Sequence, residues 1–167
     1  MDEIRFWQLI DEVRESGTDS VQTLIAKLSQ LPPEEILAYQ KHFYDVMDAS
    51  YTSTLWAAAY IIAGGCSDDS FSDFRAWLIM QGQTTFWRVV ADPEVLAELV
   101  ESDDIFWEEI IYAPREAHER ITRNENFGEL YIQKYGYSQP PEIVLDWGED
   151  EDKLQVLLPK LYAKFGE

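Results

Sequence analysis

A chain of 167 residues is long enough for one domain with a core of its own, and a 46% hydrophobic, 14% aromatic composition excludes a disordered acidic tail. Its 32 acidic residues against 13 basic ones give a formal net charge of −19. That charge argues against direct nucleic-acid binding and against anionic membrane surfaces, while permitting a basic protein partner that such a field would steer. The single cysteine excludes an intramolecular disulfide.

The first residues, Met1-Asp2-Glu3-Ile4-Arg5, have neither a basic n-region nor an apolar h-region, so no signal peptide is expected and the default compartment is the cytoplasm. Phe6, Trp7, Leu9, Ile10 and Val13 recur at helical spacing, and Gly17 ends that helix. Thr18 or Asp19 caps the next, whose stripe is Val21, Leu24, Ile25 and Leu28. Leu31-Pro32-Pro33-Glu34-Glu35 is a start signal, with proline in the first turn and acids at the positive end of the helix dipole. Ile36, Tyr39, Phe43 and Val46 or Met47 then face inwards.

Leu55 to Ala63 is apolar all round, which predicts a buried helix about half as long as a membrane span. Gly64-Gly65 stops it. Ser70 with Asp73 reads as a capping box, so a second helix is expected to begin near Phe71, with Phe71, Phe74, Trp77 and Leu78 as its inner stripe and Gly82 at its end. These two helices form the expected central hairpin. Thr84 to Val90 reads as a short helix, Asp92-Pro93 restarts the chain, and another short helix spans Asp104 to Tyr112. Pro114 is read as opening a charged surface helix, Arg115 to Arg123. Phe127 to Tyr135 fits helix or strand, and Ile143-Val144-Leu145 a short extended piece. Gly148 to Asp152 caps a last helix, Leu154 to Phe165. The expectation is one all-α domain over residues 1–167, a compact bundle of about eight to nine short helices around the central hairpin.

Two groups of residues are candidates for a site. The polar corner holds Cys66, Ser67, Asp68, Asp69 and Arg75, with Trp56, Tyr60 and His42 as candidate pocket lining. Cys66 near a helix start is either an activated thiolate or, more often, an inert buried thiol. Asp68 and Asp69 either hold a cation or charge a helix start, and Arg75 either clamps an anion or pairs with those aspartates. His42 precedes Asp45 by three residues and shares a helix face with it. The second group is a candidate acidic interface: Asp103, Asp104, Glu108, Glu109, Glu149, Asp150, Glu151 and Asp152. It belongs to a segment, Glu101 to Asp152, with 15 acids against 4 bases. Glu108-Glu109 and Glu116/Glu119 would serve as a glycosidase-type couple only if folding joined them. The chain has no glycine-rich phosphate loop, Gly-x-Ser-x-Gly, His-Glu-x-x-His or Cys-x-x-Cys, so no catalytic residue, cofactor or metal is assigned.

Phe6-Trp7-x-Leu9-Ile10, Pro32-x-Glu34-x-Ile36, the run Leu55-Trp56-x-Ala58-Ala59-Tyr60-x-Ile62-x-Gly64-Gly65-Cys66-Ser67-Asp68-Asp69, and Phe74-Arg75-x-Trp77-Leu78-Ile79-x-x-Gly82 together resemble the bacterial domain of unknown function numbered 4240. The resemblance lies mainly in the first hundred residues. It implies a compact cytoplasmic bacterial protein and carries no catalytic assignment. Charge, size and missing motifs favour a non-catalytic, protein-binding module of the immunity (toxin-neutralising) or regulatory kind, acting on a basic partner. The alternative is a small-ligand-binding protein or hydrolase with its site at the Gly64–Arg75 corner. Carboxylates spaced like phosphates would make it a nucleic-acid mimic, a special case of the first.

Overall fold

The structure, a computed structural model, describes residues 1–17, 19–137, 139–148 and 150–166. Its described elements are all helical, eleven α-helices and one 3-10 turn. In chain order these are α1 (Glu3–Glu15), α2 (Ser20–Leu28), α3 (Pro33–Ala49), α4 (Ser53–Ala63), α5 (Asp68–Ile79) and α6 (Gln83–Ala91). The 3-10 turn Pro93–Val95 follows, then α7 (Leu96–Leu99), α8 (Glu108–Thr122), α9 (Phe127–Tyr135), α10 (Glu151–Leu157) and α11 (Pro159–Phe165). None of these helices is long and apolar enough to cross a membrane.

Local chemistry sets most boundaries. Asp2, Asp19, Thr52, Ser67 and Asp150 each accept from a backbone N–H of the first turn that follows. Of the two caps expected for α2, Asp19 serves, and Thr18 lies outside the described residues. Gly64 closes α4 in the left-handed region at φ 65°, where a Cβ would be strained. Gly82, at φ 88°, is confined further, since a Cβ there would stand 2.8 Å from Asp11 Oδ1 and 3.2 Å from Arg14 Cζ. Arg14 Nη1 in turn donates to Gln81 O at 3.0 Å, closing the end of α5.

The core is built on two aromatic ladders. Phe6 meets Trp7, Tyr39 and His42, and Trp7 continues to Phe86, joining α1, α3 and α6. Tyr51, Trp56, Phe71, Phe74 and Trp77 form the second, joining α4 to α5. Offset and tilted rings of this kind add to the burial of their area.

Several expectations are corrected. Eleven helices replace the expected eight to nine, because prolines and caps divide the later chain more finely. The pair α4–α5 is not a self-contained central hairpin: α4 packs chiefly on α11 and the 3-10 turn, and α5 on α8, α3 and α6. The helix with the widest packing is α8, against α2, α3, α5 and α9. Its residues are expected from the sequence as two helices, Asp104 to Tyr112 and a surface helix Arg115 to Arg123 opened by Pro114. Instead Pro114 lies inside one continuous helix, and Ile110, Ala113, Pro114, Ala117 and His118 are buried on its inner face. That stripe of small and imidazole side chains lacks the bulky apolar signature of a core helix. Phe127–Tyr135 is helix, and Ile143 to Leu145 has no regular structure. The expected last helix is two, since Pro159 keeps Leu158 out of the helical region (φ −135°, ψ 67°). The break turns Leu157 outwards while Leu154, Leu158 and Leu161 stay buried.

The start of α11 has no cap of its own. Glu94 supplies one from 66 residues away, accepting from the N–H of Lys160 (3.0 Å) and of Leu161 (2.9 Å). Lys164 returns the contact, donating to Ala97 O (3.0 Å) and Val100 O (2.7 Å) at the end of α7. Glu94→Ala should therefore lower unfolding free energy by about 1–2 kcal/mol in urea titration. A loss under about 0.5 kcal/mol would mean that water caps α11 equally well.

Candidate functional site

The polar corner is a helix start whose parts diverge. Ser67 Oγ accepts from Ser70 N at 3.2 Å, so α5 begins one turn earlier than the expected Ser70 cap. Asp68 and Asp69 fall in its first turn, exposed and favourably placed against the dipole. Trp56 Nε1 donates to Cys66 O at 2.9 Å, pinning the corner to α4, while its ring stacks on Phe71. Trp56 is thus committed to packing. Tyr60 packs at a tilt against Trp147 and lines a small cavity of about 150 Å³ with Gly64 and Glu151.

Arg75 turns the other way. It is 6% exposed, and its guanidinium lies 4.7 Å from the ring centroids of both Tyr51 and Phe71. Nε donates to Phe71 O (3.2 Å), Nη1 to Met47 O (2.9 Å) and Nη2 to Ser72 Oγ (3.1 Å). The expected ion pair with Asp68 or Asp69 is corrected: Arg75 makes none among the described residues, and Asp68 acts on it only through the longer-range field. The reason is directional. Arg75 projects from α5 towards the end of α3, where its charge complements the negative pole of that helix.

Burial pushes the Cys66 thiol up to about 12, with Asp73 adding to the shift and Arg75 opposing it. A thiol so placed remains protonated at neutral pH and is a poor nucleophile. Alkylation of Cys66 by iodoacetamide at pH 8 should be at least about a hundredfold slower in the folded protein than in urea. Comparable rates would show that the thiol is open and activated. His42 is half-buried, its Nε2 3.2 Å from Met1 O, and Lys41 takes the carboxylate of Asp45. The expected His42–Asp45 couple is therefore not formed, and His42 is turned towards the amino terminus, away from the corner.

The fold joins the two candidate groups at another point. Trp107, the residue before α8, donates its backbone N–H to Asp73 O at 3.2 Å, which sets the starts of α5 and α8 side by side. Asp69 and Asp73 of the first then share a field with Glu108 and Glu109 of the second. Partial burial raises the Asp73 carboxyl above its ordinary range, and the charges of Glu108, Asp69 and Glu109 push it further in the same direction. None of these four acids has an ion-pair partner among the described residues. Further along α8 the acids are neutralised, Glu116 by Arg120 at 2.7 Å and Glu119 by Arg115 at 3.8 Å. Among the described residues no three metal-binding side chains converge, so these carboxylates form a field and not a chelate.

Asp103 and Asp104 are exposed just ahead of this cluster. Asp150 instead caps α10, with Glu151 and Asp152 in its first turn; desolvation raises the Tyr162 hydroxyl, and the charges of Glu151 and Asp152 add to the shift. Glu149 lies outside the described residues. The Glu116/Glu119 side chains are paired to arginines of their own helix and do not form a couple with Glu108-Glu109.

Sequence reasoning missed three residues. Trp107 is half-buried beside the acids and lines a shallow hollow with Glu109 and Asp19. Trp147 is 3% exposed and pins the loop before α10. Gln40 is 2% exposed on the inner face of α3. Its signal was available, since it stands four residues after Ile36 and three before Phe43, a polar residue on an apolar stripe.

No curated protein and no solved structure matches this chain. The sequence model of one family does, over residues 1–120, from the start of the chain to within the last turn of α8. The match takes in both helix starts of the acidic cluster and Arg75, and leaves out α9, α10 and α11. With most of its length matched, the chain belongs to the family described as "Protein of unknown function (DUF4240)".

Proposed function

We propose that the protein is a non-catalytic binding module that takes a basic segment of another protein on the face where α5 and α8 begin. The observation that carries this reading is the uncompensated crowding of Asp69, Asp73, Glu108 and Glu109. Like charges held together without counter-ions work against the fold, and a cationic partner would relieve that repulsion as it docks. Trp107 supplies a half-buried aromatic surface beside the acids, suited to a lysine stem or an arginine plane. A toxin-neutralising or regulatory role on a basic protein is the biological form that this chemistry fits. The alternative, a ligand or hydrolase site made by the corner as a unit, has less support. Asp68 and Asp69 face solvent while Arg75 faces the interior, so they do not converge on one substrate.

The test is a pull-down from the host lysate with the wild type and a quadruple variant, Asp69→Asn, Asp73→Asn, Glu108→Gln and Glu109→Gln, at low and high salt. The wild type should retain a basic protein at low salt and release it at high salt, and the variant should retain none. Asp73→Asn alone should also melt about 1 °C higher at pH 7 and low ionic strength. The sign follows from linkage. A carboxyl raised in the folded state lowers stability as pH rises from its unfolded value through its folded value, so its removal helps at neutral pH. Equal capture by both proteins would refute the assignment to this face.

A further inference from the structure

Between α3, α5 and α9 lies a cavity of about 390 Å³, near the lower end of the range of about 300–1,000 Å³ common for small-molecule sites. Its floor is polar and buried, while Tyr44 and Tyr137 stand exposed at the mouth. Two side chains make that floor. Gln40, 2% exposed, makes no hydrogen bond to a described residue through either amide atom, and its Nε2 is sealed from solvent without a partner. Arg75, 6% exposed, uses three of its five N–H groups on the acceptors named above, and all three acceptors are neutral. A buried guanidinium with no contacting carboxylate among the described residues, lining the same cavity as an amide with nothing to bond, is an incomplete hydrogen-bond system. Both groups accept completion by the same thing, an anionic oxygen.

The walls limit what carries that oxygen. Tyr44 and Tyr131 meet edge to face at 5.3 Å, and Phe127 lies beside them, so the space above the floor is aromatic. Asp48 also lines the cavity and opposes a second negative group. We propose that this cavity binds a small organic monocarboxylate with a planar apolar body. Its carboxylate accepts from the two remaining Arg75 N–H groups and from the Gln40 amide, which turns towards the cavity to donate, and its body lies against Tyr44, Phe127 and Tyr131. The site is independent of the acidic face, shares no residue with it and answers oppositely to salt. The net charge of −19 repels an anion at long range, so screening strengthens this binding where it weakens that of a basic protein. Tyr131, raised to about 12 chiefly by burial, stays a neutral hydroxyl throughout the neutral range and adds no charge against the ligand.

Isothermal titration of the full chain with phenylacetate, phenylalanine and phenethylamine tests this. Phenylacetate, phenylalanine or both should saturate the protein, more tightly at higher ionic strength, and phenethylamine, which lacks the carboxylate, should not. Tighter binding of phenylalanine than of phenylacetate would add Asp48 as the acceptor of its ammonium group. Gln40→Met keeps the side-chain volume and removes an unpaired amide, so it should fold at least as well as wild type yet bind at least about tenfold more weakly. Arg75→Met should abolish binding, and Gln40→Met keeps the test readable if that variant does not fold. The proposal is overturned if neither carboxylate saturates by about 10 mM, if phenethylamine binds equally, or if Gln40→Met binds as the wild type does.

Discussion

Phe71→Ala is expected to lower unfolding free energy by about 3–5 kcal/mol and the melting temperature by about 10 °C. Phe71 is fully buried, with Trp56 stacked on it at 4.7 Å, Tyr51 at 5.8 Å and Phe74 at 6.2 Å. Alanine removes the transfer energy of the ring and leaves a hole bounded by three rings, which cannot all move in to fill it. It also takes away one of the two faces that hold the Arg75 guanidinium. Phe71→Leu, which keeps most of the volume, should cost less than about 2 kcal/mol. Urea denaturation of the two variants separates the contributions. A loss below about 1.5 kcal/mol for Phe71→Ala would mean that the α4–α5 ladder relaxes freely and does not hold the corner. The same variant should weaken phenylacetate binding, because Arg75 would no longer be held in one orientation.

Trp147→Ala should cost about 3–4 kcal/mol, with a distinct signature. Trp147 packs on Tyr60 at 5.3 Å, and its Nε1 donates to both Ser53 O (3.1 Å) and Ser53 Oγ (3.0 Å) at the start of α4. It is the anchor by which the irregular stretch before α10 is tied to the helix that is apolar on every side. Loss of the ring should therefore open residues 139–148 to limited proteolysis before the rest of the chain yields. Trp147→Phe, which keeps a ring but no donor, should fall between the two, near 1–2 kcal/mol. Uniform, cooperative loss with no early cleavage would show that this stretch is held by α10 and α11 instead.

The first half of the chain was legible residue by residue because its signals are local. Asp19, Pro33, Gly64 and the stripe Phe71, Phe74, Trp77 and Leu78 act within one or two turns of themselves, and the helices sit where those residues place them. The exclusion of a membrane-length helix was equally local. Beyond residue 100 the signals conflict. Pro114 reads as a start and lies inside a helix, because packing of α8 against four other helices outweighs the lost N–H and the local strain. Pro159 falls inside the expected last helix, Leu154 to Phe165, and divides it in two.

The candidate sites divide along the same line. The sequence by itself determined which side chains carry charge and that Asp68 and Asp69 stand near a helix start, but it put Glu108 and Glu109 inside a helix beginning at Asp104, whereas α8 begins at Glu108. Only the tertiary structure decided that the starts of α5 and α8 lie near one another, so that Asp69 and Asp73 share a field with Glu108 and Glu109, and that Arg75 leaves its neighbouring aspartates for the end of α3 and a cavity it lines with Gln40. It likewise gave α11 a cap from Glu94. The physical reason is range. Capping, dihedral preference and stripe periodicity act over about four residues, whereas charge crowding, cavity formation and long-distance capping depend on which helix starts and ends the packed core brings side by side.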